Sequence, residues 1–186
     1  MPRDDALATR FADIDALIAH LRAMADMPCE EAEGLSELDH GLQCAAELRL
    51  VAPDDVALQV AGLVHDVGNG LSPMLGHEQS GEAVLAPVLG PRIARLVGLH
   101  VAAKRYLVTT ELAYRALLSE DSIRSLARQG GDMSADERSA FEAEPHGQGA
   151  LKLRRADEAA KTAGRRVDRL EVWIPALKLN ALPVPR

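Results

Sequence analysis

A largely apolar run, Val56 to Val64, ends in two adjacent ionisable residues, His65 and Asp66. This junction constrains the fold more than any other feature of the chain. A helix this apolar belongs in the interior, and it carries an imidazole and a carboxylate in with it. Burying such groups is costly unless they are paired or coordinated, so distant parts of the chain must supply their partners. An imidazole beside a carboxylate can ligate one metal ion, and the carboxylate can also bridge to a second. The chain has only six histidines. Four of them, His40, His65, His77 and His100, fall at places that suit ligation, and Asp157 completes a six-residue donor set with Asp66. These nitrogen and oxygen donors suit iron, manganese, zinc and similar first-row ions, with no thiolate chemistry on offer.

The remaining core must come from aliphatic side chains. Aromatic residues make up 3% of the 186 positions, whereas hydrophobic residues make up 47%. Abundant alanine and leucine with few β-branched runs predict an all-α fold, a compact helical bundle. The length predicts one domain over 1–186, with its core at about 30–165. The segment 166–186, with Pro175, Pro183 and Pro185, reads as a loose strap. A net charge of −7 and a pI near 5.4 argue against a nucleic-acid partner. They leave room for an anionic substrate, since a few local cations beside a metal suffice. Cys29 and Cys44 lack CxxC spacing and read as reduced structural residues. Met1 to Arg10 has no apolar secretory segment, and no stretch approaches the roughly 20 apolar residues of a membrane span. A cytoplasmic protein with no membrane partner is expected.

Helix signals recur along the chain. Asp4 and Asp5 precede an amphipathic run from Leu7 to Met27, which Pro28 stops. Ser36 and Asp39 open a helix through Leu50 that carries His40, and Asp54 and Asp55 open the one leading to His65 and Asp66. A turn-rich loop spans Gly68 to Gly76. Helices are then predicted over His77–Leu89, where Pro87 marks a kink or an early end, and over Pro91–Lys104. Further helices are expected from Thr110 to Leu118 and from Ser119 to Gln129. A segment capped by Ser134 and Glu137 follows, and Gly149–Ala163 carries Arg154 and Asp157.

The order His40, His65-Asp66, Asp157 resembles the HD-domain superfamily of metal-dependent all-α proteins. His77 and His100 resemble the additions of its dinuclear subset. The segment His100-Val101-Ala102-Ala103-Lys104-Arg105-Tyr106-Leu107 is more specific, as are Ser122, Ser125-Leu126, Gln129-Gly130-Gly131 and Met133-Ser134. Together they resemble the PhnZ-like HD-domain oxygenases over roughly Glu33 to Asp157.

That resemblance implies two iron ions in a mixed-valent Fe(II)/Fe(III) pair, with O2 as co-substrate. One iron would be held by His40, His65, Asp66 and Asp157 and the other by His77 and His100, with Asp66 bridging. It implies oxidative cleavage of the C–P bond of a 1-hydroxyphosphonate, giving phosphate and a carboxylic acid. A separate hydroxylase could supply that substrate. Lys104 lies four residues after His100 and Arg154 three before Asp157, so each shares a helix face with a ligand. These cations, with Ser122 and Gln129, would hold the phosphonate. Glu33 would face an ammonium group on the substrate. The chain departs from the family where Asn69 replaces an expected histidine, and no tyrosine stands at 27–31. Two other readings stay open: a metal-dependent phosphohydrolase acting on a phosphomonoester or nucleotide, and a non-catalytic metal-binding or ligand-sensing module.

Overall fold

The computed structural model describes residues 10–30 and 32–183. The expected helix start at Asp4, Asp5 and Leu7, and Pro185 of the tail, lie outside them. Nine α-helices lie among the described residues: α1 (Ile14–Ala23), α2 (Glu37–Val51), α3 (Val56–Leu63), α4 (His77–Thr110), α5 (Leu112–Arg115), α6 (Glu120–Arg128), α7 (Ala135–Glu142), α8 (Gly147–Ala159) and α9 (Leu170–Leu179). Among the described residues there is no β-strand, only an isolated antiparallel bridge between Pro28 and Ser36. That bridge sets the entry to α2, because the Glu37 N–H donates to the Met27 carbonyl at 2.8 Å.

Local chemistry accounts for the helix starts. Asp13, Ser36, Asp55, Ser119 and Ser134 each accept from a backbone N–H of their helix's first turn. Ser134 and Glu137 form a full capping box, satisfying two donors that a helix N-terminus otherwise leaves free. Helices α2, α3, α4 and α8 pack around one another. Leu48, Leu58, Leu63, Leu85 and Leu153 are almost wholly buried between them.

Helix α4 differs from expectation in an instructive way. It runs on to Thr110, and its break falls at Gly90 (φ 81°, ψ 169°), three residues past Pro87. Pro91 cannot donate a backbone hydrogen bond, and the left-handed φ that glycine tolerates turns the chain there. The break frees the Val88 carbonyl, which accepts from the Leu182 N–H at 2.8 Å. By length and composition α4 could cross a membrane, but 67% of its most apolar window is buried in this fold. A second correction concerns the tail. Residues 170–179 form α9 rather than a loose strap, and Leu170, Trp173 and Leu177 join the main core. Pro175 sits inside that short helix without ending it.

Candidate metal centre

His65 and Asp66 lie just past the end of α3, in a series of turns over residues 64–71. The turns lie against the start of α4, and Gly68 makes that approach possible. A Cβ on Gly68 would overlap the His77 carbonyl and stand 2.6 Å from the Gly81 nitrogen. Any side chain at 68 would therefore push His77 away from Asp66.

The two carboxylate oxygens of Asp66 face different imidazole pairs. Oδ2 lies 3.6 Å from His40 Nε2 and 3.3 Å from His65 Nε2. Oδ1 lies 3.5 Å from His77 Nε2 and 3.9 Å from His100 Nε2. Asp157 arrives from α8 and joins the first pair, with Oδ1 at 3.1 Å from His40 Nε2 and 3.7 Å from His65 Nε2. All six predicted donors thus converge: His40, His65 and Asp66 form one group and Asp66, His77 and His100 another, with Asp157 against His40 and His65.

The imidazoles are set for coordination. His40 Nδ1 donates to the Ala160 carbonyl at 3.0 Å, His65 Nδ1 to the Gly62 carbonyl at 2.8 Å and His100 Nδ1 to the Val97 carbonyl at 2.7 Å. A carbonyl can only accept, so Nδ1 carries a proton in each ring and Nε2 is the nitrogen turned inward. This is the outer-sphere arrangement that orients metal-bound histidine. His65 Nε2 is buried with no hydrogen-bond partner among the described residues. Such an orphaned base amid carboxylates fits a coordinated cation.

Titration reflects the same crowding. Burial works against a charged His65 ring, yet Asp66 and Asp157 overcome it and raise the pKa to about 9. Burial and the neighbouring His77 and His65 drive His100 down to about 3. Asp66 and Asp157 are held below the usual carboxylate range despite their burial, Asp66 by the surrounding histidines and Asp157 foremost by Arg154 and His65. The pocket is therefore built to keep both carboxylates ionised, as metal ligation requires.

A cavity of about 420 Å³ opens beside this cluster, lined by Asp66, His77, His100 and Asp157 together with Lys104, Ser125, Gln129 and Arg154. Lys104 is 1% exposed, and its Nζ donates to Ser125 Oγ. Arg154 is 2% exposed; it donates to Tyr114 Oη at 2.7 Å and pairs with Asp157 and Glu158. Gln129 lines the cavity with a buried Oε1 that no described group satisfies.

Two predicted substrate residues are placed elsewhere. Glu33 is exposed and does not line the cavity, whereas Cys29 and Glu30 of the same loop do. Ser122 is buried but committed, donating to Glu158 at 3.2 Å and accepting from Lys161 at 2.7 Å. Ser125, one turn later, reaches the cavity instead. Asn69 does line it, and its Nδ2 donates to Glu37 Oε1 at 3.1 Å. Glu37 was missed by the sequence reading, as were Tyr114, Glu158 and Lys161. Its signal was present: Glu37 stands three residues before His40 and so shares its helix face.

Comparison with known proteins gives the family. An HD domain family model matches residues 17–128, which carry every predicted ligand except Asp157. Hydroxymethylphosphonate dioxygenase of Gimesia maris is 35% identical over 76% of this chain and 75% of its own length. The glycine-betaine-forming 1-hydroxy-2-(trimethylamino)ethylphosphonate dioxygenase of Leisingera caerulea is 40% identical over 56% of this chain and 58% of its own. An uncharacterized protein of Acanthamoeba polyphaga mimivirus is 29% identical over 76% of this chain and 69% of its own. With its all-helical fold, its histidine and aspartate cluster and this match over more than half its length, the chain belongs to the HD-domain family.

Proposed function

We propose that this protein is an O2-dependent di-iron oxygenase that cleaves the C–P bond of a 1-hydroxyphosphonate. The observation that carries the reading is Asp66, which turns one oxygen to each imidazole pair beside a cavity lined by two buried cations. The named activities of the two bacterial relatives point the same way. His40, His65, Asp66 and Asp157 would hold one iron and His77 and His100 the other, with Asp66 shared. Irons held there, as the mixed-valent Fe(II)/Fe(III) pair that the resemblance implies, would supply the redox chemistry for dioxygen.

The chain's own groups bind, orient and neutralise. Lys104 presents a point charge and Arg154 a planar fork to a phosphonate, with Ser125 and Gln129 adding neutral hydrogen-bonding groups. Arg154 donates to Tyr114 and pairs with Asp157 and Glu158. It therefore joins the anion site to a metal ligand. The reaction balances with one dioxygen: the C–H and C–P bonds of the 1-hydroxyphosphonate break, and phosphate and a carboxylic acid form. A preceding hydroxylation at the carbon beside phosphorus would supply the substrate.

Iron-loaded protein should consume oxygen and release phosphate from a panel of 1-hydroxyphosphonates, with no release under anaerobic conditions. Phosphate release from phosphomonoesters by anaerobic manganese-loaded protein would replace this reading with a hydrolase.

A further inference from the structure

Beside the cavity lies a chain of four alternating charges, Asp157, Arg154, Glu158 and Lys161, that the phosphonate reading uses only in part. Arg154 lines the cavity and meets two carboxylates, Asp157 through one guanidinium nitrogen and Glu158 through another. Lys161 is not among the cavity-lining residues, yet its Nζ pairs with Glu158 Oε2 at 3.2 Å. Ser122 ties the two together, donating to Glu158 at 3.2 Å and accepting from Lys161 at 2.7 Å. Both charged side chains are largely buried, with Lys161 10% and Glu158 12% exposed. The backbone on either side of Lys161 is fixed as well. The Ala160 carbonyl accepts from His40, and Thr162 exchanges two hydrogen bonds with Gln43, at 2.9 and 3.2 Å. A lysine just past a helix end ordinarily keeps its ammonium in water; this one is held in place and buried.

Charge balance gives this arrangement a purpose. A guanidinium facing two carboxylates is more than neutralised, and an incoming anion would then meet net negative charge. With Lys161 in place, two cations stand against two carboxylates; without it, one cation stands against two. Away from bulk water such charges act over several ångströms with little screening. We propose that Lys161 is a positioning residue for the anion site: acting through Glu158, it leaves the charge of Arg154 available to the phosphonate. This rests on the anion site of the reading above and is independent of the chemistry at the metals. Glu158 in turn keeps the guanidinium from closing as a fork on Asp157 alone, a two-bonded pairing that arginine favours. Asp157 thereby keeps Oδ1 toward His40 and His65 while Oδ2 meets Arg154.

The test is anaerobic calorimetric titration of the iron-loaded protein with methylphosphonate, which lacks the 1-hydroxyl group and serves as a ligand only. Lys161→Met should weaken binding by about tenfold at unchanged iron content, because Glu158 then bears on Arg154 alone. Adding Glu158→Gln to that variant should bring the affinity back to within about threefold of native, since the amide keeps an oxygen for Arg154 and drops the charge. A fold damaged by the first substitution would not be repaired by a second in the same buried cluster, so recovery separates charge balance from structural support. Glu158→Gln alone, with Lys161 in place, should bind about threefold more tightly than native, and it tests the assignment even where Lys161→Met does not fold. Three results would each overturn the assignment: a Lys161→Met affinity within about twofold of native, a double variant no tighter than Lys161→Met, or a Glu158→Gln variant no tighter than native. Native protein that binds no methylphosphonate would remove the anion site and the assignment with it. Binding indifferent to position 161 would remove the assignment and leave the phosphonate reading standing.

Discussion

Replacing Arg154 by methionine tests how far the anion site and the metal site depend on each other. Methionine keeps much of the buried stem and removes the charge. The guanidinium is 2% exposed and pairs with Asp157 and Glu158 while donating to Tyr114. Glu158 would keep partners in Lys161, at 3.2 Å, and Ser122. Asp157 would lose the cation that most strongly holds its carboxyl ionised. Removing one member of a buried pair costs about 3–5 kcal/mol, because the other is left uncompensated. At roughly 2–4 °C per kcal/mol for a chain of this size, Tm of the metal-free variant should fall by about 6–20 °C. Metal loading should recover part of that loss, since a bound ion becomes the counter-charge of Asp157. The assay is thermal unfolding of native and variant protein, each with chelator and with metal. A metal-free drop below about 3 °C, or an equal drop with and without metal, would refute the coupling of Arg154 to the ligand shell.

Other outcomes follow from the same geometry. Asp66→Ala should lose both metals, because each imidazole pair faces its own oxygen of that carboxylate; metal analysis showing two retained ions would remove the bridging role. Gly68→Ala should destabilise the fold by about 1–3 kcal/mol, as overpacking does. It should also weaken the His77 and His100 site before the other, since the added methyl meets the His77 backbone; a stepwise metal titration with unchanged affinities at both sites would contradict this. The metal-free protein should also show a pH dependence set by His65, whose pKa is raised from 6.5 to about 9. A raised histidine contributes stability that is fully present below pH 6.5 and lost as pH passes 9. Tm of the chelated protein should therefore decline across that interval, and a flat profile would show that His65 does not carry the charge.

The convergent donors were legible in the sequence because histidine is rare here and burial makes it expensive. An imidazole and carboxylate after an apolar run need partners, and the only other histidines at suitable helix positions were His40, His77 and His100. Helix starts were equally legible, since Ser36, Asp55, Ser119 and Ser134 act through neighbours three residues on, a distance the sequence prints directly. What escaped depends on relations that periodicity does not contain. Glu37, on α2, lines the cavity whereas Glu33, in the loop before it, does not, a difference that a one-dimensional pattern cannot show. Ser122 and Ser125 lie on one helix, one turn apart, and both are buried. The choice between them falls to Glu158 and Lys161 on and just beyond α8, which occupy Ser122 and leave Ser125 to Lys104. The tail misled for a related reason. Prolines marked it as irregular, but Leu170, Trp173 and Leu177 recur at helical spacing and find an apolar surface to cover. Burial of that face outweighs one missing backbone donor at Pro175. The same competition, local signal against tertiary burial, places the Asn69 amide against Glu37 rather than leaving it a simple turn residue.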